Sequence, residues 1–135
     1  MNTITMIILS VSSIVNLLEV SQVLKQVETN NNTEVIGDNG RAYGVLQIHK
    51  ICIDDVNRHY STHYTHKDAF SEVCSDEIFN LYISMGIQLF CKRYGRDPNE
   101  EEIVRFWNGG IYTGHKKQAT IPYYKKYLKY KHKNK

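Results

Sequence analysis

A glutamate, Glu28, stands between an apolar periodic segment and a loop rich in glycine. It follows Leu24 by four residues and Val27 by one, so on a helix it would lie on or beside the buried stripe. A carboxyl group held against apolar side chains keeps its proton to higher pH, because desolvation disfavours the charged form. Glu28 is therefore a candidate general acid, and a glutamate that only caps its own helix end is the alternative interpretation.

Amide and aromatic side chains could bind a ligand beside such an acid. Gln47 and Asn108 carry amides that both donate and accept hydrogen bonds, which suits the acetamido and hydroxyl groups of amino sugars. Hydrogen bonding within turns and caps is their alternative use. Tyr43 and Trp107 could stack on sugar rings, or they could belong to the core.

Apolar residues at helical spacing predict a mainly helical chain that positions these groups. The loop or small β-hairpin expected near residues 33–45 interrupts it, because glycine, aspartate and asparagine supply turn chemistry there. The run of Thr and Asn over 29–33 ends the first helix. The helices are predicted at 17–28, 51–60, 75–94, 97–107 and from about 120 to 130, with fraying after that.

Capping residues predict where two of these helices begin. Ser75 is a plausible N-cap, followed by acids that suit a helix N-terminus and by apolar residues up to Leu89, so this helix should be the most buried one. Asp97-Pro98-Asn99-Glu100 is interpreted as a capping box with proline at the first helical position.

The length of 135 residues fits one domain, which we place at residues 14–131 with a basic tail at 132–135. Residues 1–13 are a possible signal peptide or an extension of the first helix, and the apolar run is too short for stable membrane insertion. The three cysteines lack zinc-finger spacing, so neither a metal nor a cofactor is expected, and buried thiols are favoured over a disulfide. His59, His63 and His66 have irregular spacing, which makes metal binding a minor alternative.

The charges are distributed unevenly along the chain. Residues 1–102 contain all 14 acids and 8 Lys or Arg, whereas residues 103–135 contain 9 Lys or Arg and no acid. A basic end of this kind is usually a solvated helix face, although it could also bind an anionic wall polymer or nucleic acid. We expect no nucleic-acid partner.

Four motifs in order resemble the soluble lytic transglycosylases. They are Glu28-Thr29, Gly44-Val-Leu-Gln47, Phe106-Trp-Asn-Gly-Gly110 and Thr120-Ile-Pro-Tyr123. The resemblance covers about residues 17–128. The segment from Gly37 to Gln47 is also similar to that of goose-type lysozymes. The resemblance implies a lysozyme-like fold with a substrate groove, and cleavage of the β-1,4 bond between N-acetylmuramic acid and N-acetylglucosamine.

The resemblance also implies roles for individual residues. Glu28 would protonate the glycosidic oxygen, and Asp38 matches an aspartate that helps to position water. Tyr123 matches a late tyrosine whose hydroxyl approaches the glutamate, and Gln47 matches the motif glutamine. His49 replaces a second aspartate of goose-type lysozymes, so hydrolysis guided by Asp38 is only slightly preferred over attack by the sugar's own 6-hydroxyl.

These implications lead to a hypothesis about where the protein works and what it binds. We expect a monomer that acts on peptidoglycan strands outside the cell, in the periplasm or as part of a phage. The principal alternative is a catalytically inactive protein that binds peptidoglycan or chitin. A basic nucleic-acid-binding module, based on 116–135 alone, is the weakest alternative.

Overall fold

The computed structural model describes residues 15–134, and most of this part of the chain is helical. Its α-helices are α1 Leu17–Thr29, α2 Lys50–Tyr60, α3 Glu72–Tyr94, α4 Glu100–Gly109 and α5 Ile121–Lys133. The strands are β1 Ile36–Gly37, β2 Ala42–Tyr43 and β3 Ile48–His49. The mainly α class expected from the sequence is confirmed.

Helix α1 forms as the apolar spacing predicts. The stripe of Leu17, Val20, Leu24 and Val27 is buried. The helix ends where asparagines adopt left-handed backbone conformations, with φ of 53° at Asn30 and 67° at 31. The polar run therefore terminates the helix directly after Glu28-Thr29, which fixes the glutamate at a helix end.

The hairpin region is a three-stranded antiparallel sheet in the order β1-β2-β3. Ile36 pairs with Tyr43, and Tyr43 in turn pairs with Ile48. A 3₁₀ turn over Asp38–Gly40 joins the first two strands. The sequence predicted a loop or a small β-hairpin here, whereas the third strand adds a pairing that the two-residue pattern of Ile48–His49 is too short to indicate.

Helix α3 begins at Glu72, three residues before the predicted N-cap, so the prediction of Ser75 as cap is wrong. The Cys74 amide donates to the Ser71 hydroxyl at 3.2 Å, the geometry of a cap at Ser71. Ser75 is fully buried, and its hydroxyl donates to the Ala69 carbonyl at 2.8 Å. The helix ends before Gly95, as predicted.

The capping box of α4 is present but starts two residues later than predicted. The Glu102 amide donates to Asn99 Oδ1, the Asn99 amide donates to Glu102 Oε1, and both distances are 2.9 Å. Asp97 is therefore not the cap, and Pro98 precedes the helix instead of starting it. Helix α4 continues through Gly109, beyond the predicted end at Trp107.

Helix α5 begins at Ile121, next to the predicted start near residue 120, and Pro122 lies in its first turn. It continues to Lys133, so the fraying expected from Lys131 is not observed and the predicted tail 132–135 begins inside the helix.

On α3, Ile78, Phe79 and Phe90 are buried, but the predicted core residue Leu89 is 40% exposed.

The chain divides into two compact units. The first takes the residues up to Val23 and from Ile83 onward, and the second is Leu24–Tyr82. The buried apolar side chains of the second unit include Leu24, Val45, Leu46, Ile48, Ile53, Val56, Ile78 and Phe79. Those of the first include Val20, Ile83, Ile87, Ile103, Val104, Phe106, Ile111 and Tyr127.

The possible signal peptide at 1–13 lies outside the described residues. Within residues 15–134 we find no helix that is both long and apolar enough to cross a membrane.

All three cysteines are free thiols, and Cys52 is buried while Cys74 and Cys91 are half-buried. Burial, together with the hydrogen bond that the thiol donates to Asp97, raises the pKa of the Cys91 thiol to about 11, so it stays protonated at neutral pH.

Candidate functional site

The residues singled out in the sequence are divided between the two units. Glu28, Asp38, Tyr43 and Gln47 lie in the second unit. The remaining three, Trp107, Asn108 and Tyr123, lie in the first unit.

Glu28 lies in the last turn of α1, half-buried beside the buried Val27. The next residue, Thr29, fixes this end of the helix to the rest of its unit. Its hydroxyl donates to the Val45 carbonyl at 2.8 Å, and the carbonyl of Lys25 lies 3.2 Å away as a second acceptor. The end of α1 that carries Glu28 is thus joined to the Gly44–Gln47 turn, 16 residues later in the chain.

An ion-pair cluster fixes the same turn of α1 to the start of α3. Lys25 is 7% exposed, and its Nζ lies 2.8 Å from Asp76 Oδ1 and 3.1 Å from Glu72 Oε2. Burial alone would lower the pKa of Lys25, but hydrogen bonds to Asp76 and Glu72 outweigh this and raise it. Lys25 therefore stays charged, and it orients the helix turn that precedes Glu28.

The Gly44–Gln47 turn needs glycine at its first position. Gly44 has φ of 80°, and a Cβ there would lie 1.8 Å from the carbonyl oxygen of Ala69. The turn is closed by the Gln47 amide, which donates to the Gly44 carbonyl at 3.0 Å. The glycine of this motif therefore permits both a left-handed backbone and a close approach to the segment before α3.

The Gln47 side chain holds this turn together. Its Nε2 donates to the Gly44 carbonyl at 2.9 Å and to the Val35 carbonyl at 3.1 Å. A Cβ on Gly37 would lie 2.2 Å from Gln47 Oε1, so glycine leaves room for this oxygen. Because both amide hydrogens are used internally, only the carbonyl oxygen remains for a ligand hydroxyl.

Asp38 directly follows β1 and is exposed, with its carboxylate held between two cationic or potentially cationic side chains. Arg41 Nη2 donates to Oδ1 at 3.2 Å, and His49 Nε2 lies 3.3 Å from Oδ2. Each carboxylate oxygen keeps a further lone pair for water. His49, the residue that departs from the goose-type pattern, is thus a partner of Asp38.

Tyr43 belongs to an aromatic cluster of the second unit. Its ring stacks on His66 with centroids 3.7 Å apart and planes 9° from parallel, and Phe70 stacks at 4.9 Å. The His66 ring nitrogen Nε2 contacts the Ile48 carbonyl at 2.8 Å. At least one face of Tyr43 is therefore covered by protein, which limits its use as a sugar platform.

His66 has this structural role, and no three His, Cys, Asp or Glu of residues 15–134 are grouped as metal ligands would be.

In the first unit, Trp107 and Asn108 occupy the last turns of α4, where Trp107 is half-buried and Asn108 is exposed. Two glycines shape the chain around them. A Cβ on Gly109 would lie 2.5 Å from the Thr120 methyl group, and one on Gly114 would lie 2.5 Å from the Arg105 carbonyl. The glycines after Asn108 thus allow the returning loop to pack tightly against the end of α4.

Arg105 organises that loop from inside the unit. It is 9% exposed, and its guanidinium donates to Thr120 Oγ1 at 2.8 Å, to the Lys117 carbonyl at 3.0 Å and to Glu101 Oε2 at 2.8 Å. Tyr123 follows in the first turn of α5 and is half-buried. The network therefore fixes the segment between Asn108 and Tyr123.

Sequence reasoning missed two positioning residues, Thr29 in its bonding role and Arg105. The sequence indicated Thr29 only as part of the motif Glu28-Thr29 and of the polar run that ends α1, and its hydroxyl at a helix end was the available signal. Arg105 has one local partner, Glu101, which only indicates an ion pair on the helix surface. Its other partners lie 12 and 15 residues away in the chain, so the sequence did not indicate its positioning role. Comparison of the chain with protein-family models, curated proteins and solved structures found no match.

Proposed function

We propose that the chain is a peptidoglycan glycosidase with a lysozyme-like fold. The supporting observation is the hydrogen bond from Thr29 Oγ1 to the Val45 carbonyl at 2.8 Å. It joins the two motif segments, Glu28-Thr29 and Gly44–Gln47, that the resemblance to lytic transglycosylases pairs in one site. The half-buried position of Glu28 at a helix end also suits a carboxyl group that must carry a proton.

In the proposed reaction Glu28 donates its proton to the oxygen of the β-1,4 bond between N-acetylmuramic acid and N-acetylglucosamine. The bond breaks through an oxocarbenium-like transition state, and water attacks the anomeric carbon. Asp38, held by Arg41 and His49, orients that water through a free lone pair. The attacking water loses one proton, which returns to the Glu28 carboxylate directly or through solvent, and keeps the other in the new hydroxyl, so hydrolysis yields a reducing end and restores the acid.

The competing route within the same function uses the 6-hydroxyl of the muramic acid residue. Glu28 first gives up its proton to the leaving oxygen and then takes the hydroxyl proton, so one carboxylate is sufficient. The product is then an anhydro sugar, and Asp38 is not needed. Mass spectrometry of released muropeptides distinguishes the routes, because reducing ends support the role of Asp38 and anhydro ends contradict it.

Substitution Glu28→Gln tests the acid directly. It keeps the shape of the side chain and removes its titratable proton, so we expect wall clearing to fall about 100-fold or more. Folding, followed by circular dichroism, and binding to intact walls should remain. Glu34→Gln, which changes an exposed glutamate six residues later, is the matched control and should keep full activity. Wall clearing by the Glu28→Gln variant at the wild-type rate would refute the assignment.

The second candidate is an inactive protein that binds peptidoglycan or chitin. The contact between His49 and Asp38 favours it, because a histidine at 3.3 Å occupies one side of the carboxylate proposed to guide water. This candidate expects binding to walls or chitin beads with no released product from the wild-type protein. Under either candidate the protein works where the wall is accessible, outside the cell, in the periplasm or on a phage.

A further inference from the structure

Helix α5 presents a row of lysines that the proposed active site does not use. Lys125, Lys126, Lys129 and Lys133 are all exposed and follow one another at intervals of one, three and four residues. Spacing of three and four places side chains on one face of a helix. We call these four lysines the basic face. Together with Pro122, Tyr130 and His132 they line a shallow, open groove.

The charges of the basic face are not neutralised by the part of the protein that the structure describes. None of its four ammonium groups has a carboxylate within 4.0 Å among residues 15–134. Lys131, on another side of the same helix, differs, because its Nζ pairs with Glu100 Oε2 at 2.6 Å. That hydrogen bond raises the pKa of Lys131 and uses its charge internally. The basic face is therefore available to an anion from outside.

The side chains of the basic face indicate the kind of anion. Each lysine is a point charge without the flat fork with which arginine grips a single phosphate. Lys125, Lys129 and Lys133 repeat every four residues, which places their Cα atoms about 6 Å apart along the helix. A row of point charges at such intervals suits a linear polymer that carries a charge on every repeating unit.

Nucleic acid and an anionic membrane fit the basic face less well than such a polymer. The Lys133 ammonium lies over the Tyr130 ring, 5.4 Å from its centroid. It therefore covers the ring face on which a nucleic-acid base would stack. The large apolar side chains exposed in the described residues lie elsewhere, and none is on α5. The helix therefore lacks the fully exposed apolar face with which an amphipathic helix inserts into a lipid bilayer.

We propose that the basic face binds an anionic wall polymer, a linear chain of polyol phosphodiesters attached to peptidoglycan. The choice of a wall polymer rests on the proposed function, since a glycosidase bound to the polymer would be kept beside its glycan substrate. Binding itself is electrostatic and reversible. It should weaken steeply with added salt, because each bound lysine releases condensed counterions.

The test measures binding of the full-length Glu28→Gln protein to bacterial walls, so that the walls are not digested. Walls that retain their polyol phosphate are compared with the same walls after acid extraction of the polymer. We expect binding to fall at least about tenfold on extraction. Equal binding to both preparations overturns the proposal. Tighter binding to a DNA duplex or to anionic vesicles than to the purified polymer also overturns it.

A matched pair of variants locates the surface. Lys125→Gln with Lys129→Gln should weaken polymer binding at least about fivefold and flatten its salt dependence, without loss of helix because glutamine has similar helix propensity. Lys67→Gln with Lys92→Gln removes the same charge from exposed lysines outside α5 and should bind as the parent does. Equal weakening in both double variants would mean that net charge alone drives binding, which refutes the basic face.

The two proposals can fail separately. Both lysine variants, made in the wild-type background, should still release muropeptides from polymer-free peptidoglycan. If the wild type releases nothing but binds the polymer through the basic face, the glycosidase proposal fails and the polymer proposal stands. If the wild type releases muropeptides but binds extracted and intact walls equally, the polymer proposal fails and the glycosidase proposal stands.

Discussion

At the scale of single residues, a hydroxyl group connects the proposed acid to the rest of its unit. Thr29 follows Glu28 and donates to the Val45 carbonyl across 16 residues of chain. Such a bond contributes about 1 kcal/mol to the free energy of unfolding. It also orients the neighbouring carboxyl group, and a misplaced reacting group can raise the activation free energy by more than this amount. Thr29 is therefore a positioning residue in the proposed mechanism.

Substitution Thr29→Val removes this hydroxyl and keeps the shape of the side chain. We expect kcat for muropeptide release to fall about ten- to hundredfold, because a small displacement of a reacting group is costly. The free energy of unfolding should fall by about 1 kcal/mol. Thr29→Ser keeps the donor and should keep kcat. Thr33→Val, four residues later, removes a hydroxyl with only a 3.4 Å contact to Glu34 and serves as control. A Thr29→Val protein with wild-type kcat would contradict the positioning role.

At the scale of elements, the Gly44–Gln47 turn depends on a close backbone contact. Gly44 and Gly40 both have left-handed backbones, with φ of 80° and 86°. A Cβ on Gly44 would overlap the Ala69 carbonyl, whereas one on Gly40 would have no atom within 4 Å. Alanine substitutions at the two positions therefore separate the free-energy cost of a left-handed backbone from that of steric overlap.

Urea unfolding of Gly44→Ala and Gly40→Ala should reveal this difference. We expect Gly40→Ala to lower the free energy of unfolding by about 1–2 kcal/mol, the penalty for a left-handed alanine. Gly44→Ala should lose at least about 2 kcal/mol more, because the turn must move away from the Ala69 carbonyl. Equal losses in the two variants would mean that the turn tolerates displacement and is not held against the segment before α3.

Element boundaries also separate what the sequence predicts from what it does not. The apolar stripe of α1 and the asparagines after it predicted that helix well, because both signals are local. The starts of α3 and α4 were misplaced, since several Ser, Asp and Asn residues near each start can cap a helix. Ser71 caps α3, and Ser75 instead donates to Ala69 inside the unit. Tertiary contacts decide which serine caps the helix, and the spacing of residues in the sequence does not reveal those contacts.

At the scale of the whole molecule, the uneven charge along the chain is only partly used internally. Lys131 pairs with Glu100 and Arg105 with Glu101, so part of the basic end neutralises the acidic first turn of α4. The four lysines of the basic face remain. The basic end of the sequence predicted a polyanion as an alternative partner, but only the folded helix divides lysines with carboxylate partners from those without them. The same limit applies to the candidate site, since the bond from Thr29 to Val45 depends on the fold.

The response of the protein to acid should depend on the carboxylate that caps α4. Partial burial by itself would raise the pKa of Glu102, but hydrogen bonds from Arg96 and the Asn99 amide outweigh this and lower it. The unfolded chain therefore takes up the proton first as the pH falls. The stability contributed by Glu102 is complete above its ordinary pKa and is lost as the pH falls through the lowered value.

Thermal unfolding of wild type and of the Glu102→Gln variant, from about pH 6 to about pH 3, checks this linkage. Glutamine can still accept and donate at the third helical position, so the capping box is kept while the titrating group is removed. We expect the wild type to be more stable near pH 6 and the difference in Tm to shrink as the pH falls. Glu34→Gln, in an exposed position, should follow the wild type throughout. A difference between wild type and the Glu102→Gln variant that stays constant over the whole range would contradict the lowered pKa and assign the stability to packing of the side chain alone.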